Sequence, residues 1–97
     1  MAWIIKWTSE ATRTFENVSR DLQKNWTESE VKNFIKLTQK ISEFISIYPK
    51  MFRYSKKKKT YEAVVTPHNL LLYRIKKNTI ELLLFWDTRQ NPRKIKF

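Results

Sequence analysis

The stretch Leu70-Leu-Leu-Tyr-Arg-Ile-Lys-Lys-Asn-Thr-Ile-Glu-Leu-Leu-Leu-Phe-Trp86 decides the fold. Its first half alternates: Leu71, Tyr73 and Ile75 share one side, and Leu70, Leu72, Arg74 and Lys76 share the other. That period of two is the mark of a β-strand with two different faces. Lys77-Asn78 interrupts the pattern as a two-residue hairpin turn. From Thr79 to Trp86 the chain is again extended, and Leu82 to Trp86 is apolar on both faces, as suits a covered central strand.

Upstream, Thr60 to Thr66 reads as a further strand, joined to the hairpin by a Pro67-His68-Asn69 turn. Met51 to Tyr54 reads as a short strand, with Lys56 to Lys59 as a charged turn after it. Before Pro49 the period changes to that of helices. Ala11, Phe15, Val18 and Leu22 form one stripe, capped by Thr8 or Ser9. Thr27 and Glu30 form a capping box for a second helix, with Trp26 and Val31 placed as a hydrophobic staple. Its apolar face takes in Val31, Phe34, Ile35, Ile41, Ile45 and Tyr48, widened by Leu37 and Phe44, and Pro49 ends it. So short a connection predicts an antiparallel helical hairpin. Ala2 to Trp7 opens the chain as a strand. The expected fold is α+β, in the order β-α-α-β-β-β: an antiparallel sheet with an N-terminal strand and the helical hairpin packed on one face, in one domain over residues 1–97. The chain has no glycine, so Asn69 and Asn78 are expected to take positive φ.

Charge divides the chain unevenly. The net charge is +11; residues 1–49 carry seven basic and six acidic groups, whereas residues 50–97 carry thirteen basic and three acidic. A basic half beside a nearly neutral one points to a polyanionic partner, nucleic acid or an acidic protein. The absence of cysteine excludes disulfides and thiolate metal sites, and one histidine excludes a multi-histidine centre, so neither metal nor cofactor is expected. The longest apolar run is far short of the ~20 residues of a membrane helix, and the N-terminus lacks a signal-peptide pattern. A cytoplasmic protein with no membrane partner is expected.

Several short motifs, in this order, resemble the ParE/RelE toxin superfamily: Trp7-Thr-Ser-Glu-Ala11, Phe34 through Tyr48-Pro49 followed by Arg53-Tyr-Ser55, Leu71-Leu-Tyr-Arg-Ile75, and Phe85-Trp-Asp-Thr-Arg-Gln-Asn-Pro92. The resemblance covers nearly the whole chain. It implies a growth-inhibiting, plasmid-stabilising toxin silenced by an acidic antitoxin within a toxin–antitoxin hetero-oligomer. The freed toxin would attack DNA gyrase, as ParE proteins do, or mRNA on the ribosome, as RelE proteins do.

Metal-free RNA cleavage needs a base, an acid and cations at the phosphate. The candidates are Arg89, Arg74, Tyr73 and His68 for the chemistry, with Tyr61 or Tyr73 able to stack on a base or donate a proton. For target or nucleic-acid binding they are Arg53, Lys56, Lys57, Lys58, Lys59, Arg74, Arg89, Arg93 and Lys94. Each has a plainer role. His68 sits in a turn, Tyr73 belongs to a core or its rim, and the four lysines suit a solvated turn. A charge at Arg74 demands an open or paired face, and Arg89 has Asp87 or Glu62 as salt-bridge partners. RelE-type nucleases carry Lys and Arg on the middle strands and a tyrosine near the C-terminus. Here Tyr61-Glu-Ala-Val-Val-Thr66 holds no Lys or Arg and one acid, and Arg93-Lys-Ile-Lys-Phe97 holds no tyrosine. The balance favours a ParE-like poison that binds rather than cuts, with RelE-like cleavage as the alternative.

Overall fold

A computed structural model describes residues 3–88. The elements are β1 (Ile4–Trp7), α1 (Ser9–Asn25), α2 (Glu28–Ile47), β2 (Arg53–Ser55), β3 (Thr60–Thr66), β4 (Asn69–Lys76) and β5 (Thr79–Asp87). Five strands form one sheet in the order β1-β5-β4-β3-β2. The last four make an antiparallel meander. β1 lies parallel to β5, with Ile4 opposite Thr79 and Trp7 opposite Leu82. The sheet is therefore mixed, and its one parallel pair joins the two ends of the described chain.

Thr8 fastens that junction. Its hydroxyl caps α1 by accepting from the Ala11 N–H at 3.1 Å, and donates to the Leu82 carbonyl at 2.7 Å. A bulge follows in β5: Leu72 faces Leu84 while Tyr73 faces Leu82, so Leu83 has no opposite number. A bulge leaves ladder groups without strand partners. α1 supplies them, because the Thr14 hydroxyl accepts the Phe85 N–H at 2.9 Å and donates to its own helix at Glu10. The shift in phase sends both Leu82 and Phe85 toward the helices.

The main core lies between hairpin and sheet. Ala11, Phe34 and Ile45 pack with Ala63, Val65, Leu71, Tyr73, Ile80, Leu82 and Phe85. Leu72, Leu83 and Leu84 form a second cluster with Leu70 and Trp86. Thr27 caps α2 through the Glu30 N–H at 3.4 Å, and Pro49 follows the C-cap Tyr48. The buried stripe of α2 differs from the apolar one. Thr38 is buried, with its hydroxyl donated to the Phe34 carbonyl at 2.9 Å, while Ile35, Phe44 and Tyr48 are 38%, 49% and 55% exposed. The stripe steps through Val31, Phe34, Thr38, Ile41 and Ile45, so Ile35 and Phe44 fall on its flanks.

Positive φ falls on Lys59 (58°) and Lys77 (55°), not on the two asparagines. Lys59 closes the four-residue loop after β2, its N–H reaching the Ser55 carbonyl at 2.7 Å. Lys77 takes the first place of the two-residue turn. Asn69 has already entered β4, where its side chain donates to the Thr66 hydroxyl at 3.0 Å.

Candidate polyanion-binding surface

The meander places the β2–β3 loop (56–59) and the β4–β5 turn (77–78) at the same end of the sheet. Four lysines occupy the first tip, and Lys76 and Lys77 the second. The first tip is built by Ser55, whose side chain accepts the Lys58 N–H at 3.2 Å. Lys58 turns its ammonium to Glu62 at 3.7 Å. Among the described residues it is the one lysine of this loop that reaches a carboxylate. Arg53 stands opposite Glu62 across the β2–β3 ladder.

Arg74 is on the face away from the helices, more than half exposed, and its Nε donates to Glu81 at 2.7 Å. The charge is thus both solvated and paired, which removes the cost of a cation on a mid-sheet strand. Glu81 also stands opposite Lys6 on β1. The hydrogen bond from Arg74, reinforced by the charges of Arg74, Lys76 and Lys6, holds its carboxyl below the usual carboxylate range. The acids at this end of the sheet are each set among cations, and the surface as a whole stays basic.

Among the described residues, the other candidates do not converge on it. His68 lies in the β3–β4 turn at the opposite end, an eight-residue strand away, roughly 25 Å at ~3.3 Å per residue. There it borders a groove of about 1060 Å³ between α1, the start of α2 and the sheet, with Asp21, Trp26, Glu30 and Asn33 among its walls. An imidazole so placed cannot serve a phosphate held by the lysines. Tyr73 is fully buried beneath the helices, and its hydroxyl donates to the Pro49 carbonyl at 2.7 Å. Burial, then the neighbouring Tyr61, pushes the phenol well above its ordinary range. Tyr73 is a core residue with a structural hydrogen bond, and no part of it meets solvent. Arg89, Arg93 and Lys94 lie outside the described residues, as does any pairing of Arg89. Among the described residues there is no cluster of His, Asp and Glu fit to hold a metal ion, and no helix is long and apolar enough to cross a membrane.

Tyr73 leads through Tyr61, a candidate from the sequence, to Tyr54, which the sequence pattern did not single out. Tyr61 stacks on it with centroids 5.2 Å apart and planes 15° from parallel, and Tyr54 leans on Tyr61 at 4.8 Å. The three are successive cross-strand partners of β2, β3 and β4. The ladder runs from the buried core to an exposed ring, Tyr54, beside the lysine loop. A strand register, which composition does not contain, is the signal that finds it.

No protein-family model and no curated protein sequence matches the chain. Solved structures match in fold. A chain of the chromosomal ParDE toxin–antitoxin system from P. aeruginosa superposes with a TM-score of 0.76 at 11% identity, over 89% of this chain and 96% of that one. The toxin–antitoxin complex RelBE2 from Mycobacterium tuberculosis gives 0.59 at 16% identity, covering 90% and 99%. The conserved hypothetical protein HP0894 from Helicobacter pylori gives 0.58 at 17% identity, covering 91% and 97%. At such identities the likeness is one of architecture. The chain has the ParE/RelE toxin fold.

Proposed function

We propose that this protein is the toxin of a toxin–antitoxin pair and acts in the ParE manner, binding DNA gyrase in the cytoplasm and stalling it rather than cutting a substrate. An acidic antitoxin silences it by covering the basic surface in a hetero-oligomer. The observation that carries the ParE reading is the separation, among the described residues, of the candidate chemistry. The cations of the hairpin tips, the imidazole of His68 and the phenol of Tyr73 occupy three different places, one of them inside the core. General acid–base cleavage needs its groups within hydrogen-bond reach of one another and of the phosphate.

The RelBE2 likeness supports a second reading, ribosome-dependent mRNA cleavage. The deciding experiment adds the purified protein to gyrase with relaxed plasmid, and separately to programmed ribosomes with primer extension of the message. Lost supercoiling with accumulation of linear DNA, and intact mRNA, is the expected pair of results. Discrete cuts at the ribosomal A site with untouched gyrase would replace the first reading by the second.

A further inference from the structure

The basic tips and the tyrosine ladder are neighbours in the fold, and a poison that works by protein contact has no evident need of both. β2 is an edge strand, and among the described residues nothing pairs with its outer side. Tyr54 sits on it directly before Ser55 and the lysine loop, 48% exposed. One side of the ring leans on Tyr61, which is itself stacked on the fully buried Tyr73. Tyr73 is held in turn by Pro49 through its hydroxyl and by Phe52 edge-on at 6.3 Å. An exposed aromatic ring is thus propped from behind by two others and anchored to the core. Beside it, two hairpin tips rise from adjacent strands, about 4.8 Å apart at their bases, and present Lys56, Lys57, Lys59 and Lys77, while Lys76 lies on the other face of β4 with Arg74.

Cations that track a backbone and aromatic rings that take the faces of bases are the two components of a site for unpaired nucleic acid. A duplex hides its base faces in the stack, so it would use the lysines and leave the ring idle. We propose that this end of the sheet is a binding surface for single-stranded nucleic acid. Phosphates lie along the two lysine tips, and one base stacks on Tyr54. The surface stands apart from the choice of toxin target: it belongs to the chain itself and requires neither gyrase nor ribosome.

The test uses the purified full-length chain and two fluorescein-labelled probes, an oligothymidylate of about a dozen nucleotides and a duplex of similar length, read by anisotropy. The single strand is expected to bind the more tightly. Tyr54→Ala should weaken it by roughly five- to a hundred-fold, the span of one lost base–aromatic stack, and leave the duplex unchanged. Tyr54→Phe should restore single-strand binding, because stacking needs the ring and not the hydroxyl. The pair Lys57→Glu and Lys77→Glu should weaken both probes and flatten the salt dependence by about one unit of slope per lost phosphate contact. Thermal melts of each variant confirm that the fold persists. Equal affinity for both probes, an unaltered Tyr54→Ala variant or no binding would overturn the proposal. A chain that poisons gyrase without binding the oligonucleotide loses this inference and keeps its proposed function. The reverse result does the opposite.

Discussion

Replacing Tyr73 by phenylalanine removes one oxygen atom and leaves the ring in place. In the structure that oxygen is buried and donates to the Pro49 carbonyl at 2.7 Å, tying β4 to the chain just after α2. Without it the carbonyl of a buried proline has lost its partner, a deficit of about 1–3 kcal/mol. For a domain of this length each kcal/mol moves the melting temperature by roughly 4–8 °C, so Tyr73→Phe should melt about 5–20 °C below the parent. Urea unfolding followed by circular dichroism should show the same loss as a lower midpoint with an unchanged slope. Activity per folded molecule should not change, because no atom of Tyr73 is exposed. A variant of parental stability that no longer acts on gyrase or mRNA would refute this reasoning and make the phenol a reacting group.

Thr14→Val should cost about 1–2 kcal/mol, since a methyl replaces the acceptor of the Phe85 N–H at the β5 bulge; Thr14→Ser should keep most of the parental stability in the same urea titration. Glu81 titrates below the ordinary carboxylate range because of Arg74, so its pairing stabilises the fold above the unfolded carboxyl value. That contribution is lost as pH falls through the depressed folded value. A carbon-detected NMR titration should place the Glu81 midpoint below that of a free glutamate, and Arg74→Leu should move it back up; an unmoved midpoint refutes the pairing. Lys77→Gly should stabilise by about 0.5–1 kcal/mol by relieving a left-handed backbone that costs a residue with a Cβ about that much or more. A differential-scanning melt that is unchanged or lower contradicts that.

Much of the fold was legible because its signals are local. The strands after Pro49 keep the period of two, Thr27 sits three residues before Glu30, and Lys77-Asn78 divides two alternating runs. Each of these marks an element without help from the rest of the chain. The parallel pairing of β1 with β5 is not local, and nothing in Ile4-Ile-Lys-Trp7 distinguishes a parallel neighbour from an antiparallel one. The bulge at Leu83 is hidden for a related reason: a run of five apolar residues reads the same in either phase. Thr38 joined the core though it was no part of the expected apolar face, because its hydroxyl bonds the turn before it, and hydropathy alone does not register that. In the candidate site the lysine loop stood out by composition. The Arg74–Glu81 pair and the tyrosine ladder depend on cross-strand register, which exists only once the strands are aligned.

The pairing of the first strand with the last has a consequence for the order in which this protein can form. Thr8 bonds a carbonyl 74 residues further along, and β5 lies between β1 and β4 as well as beneath α1. During synthesis the helical hairpin leaves the ribosome with its apolar faces waiting, and no arrangement of the earlier strands can supply what β5 supplies. Contacts of such sequence separation close late and slowly. A chain stopped before Thr79 lacks the strand on which both halves of the core depend. The assembled surface therefore comes into being only when translation has passed β5, and until then the nascent chain has no finished fold to release.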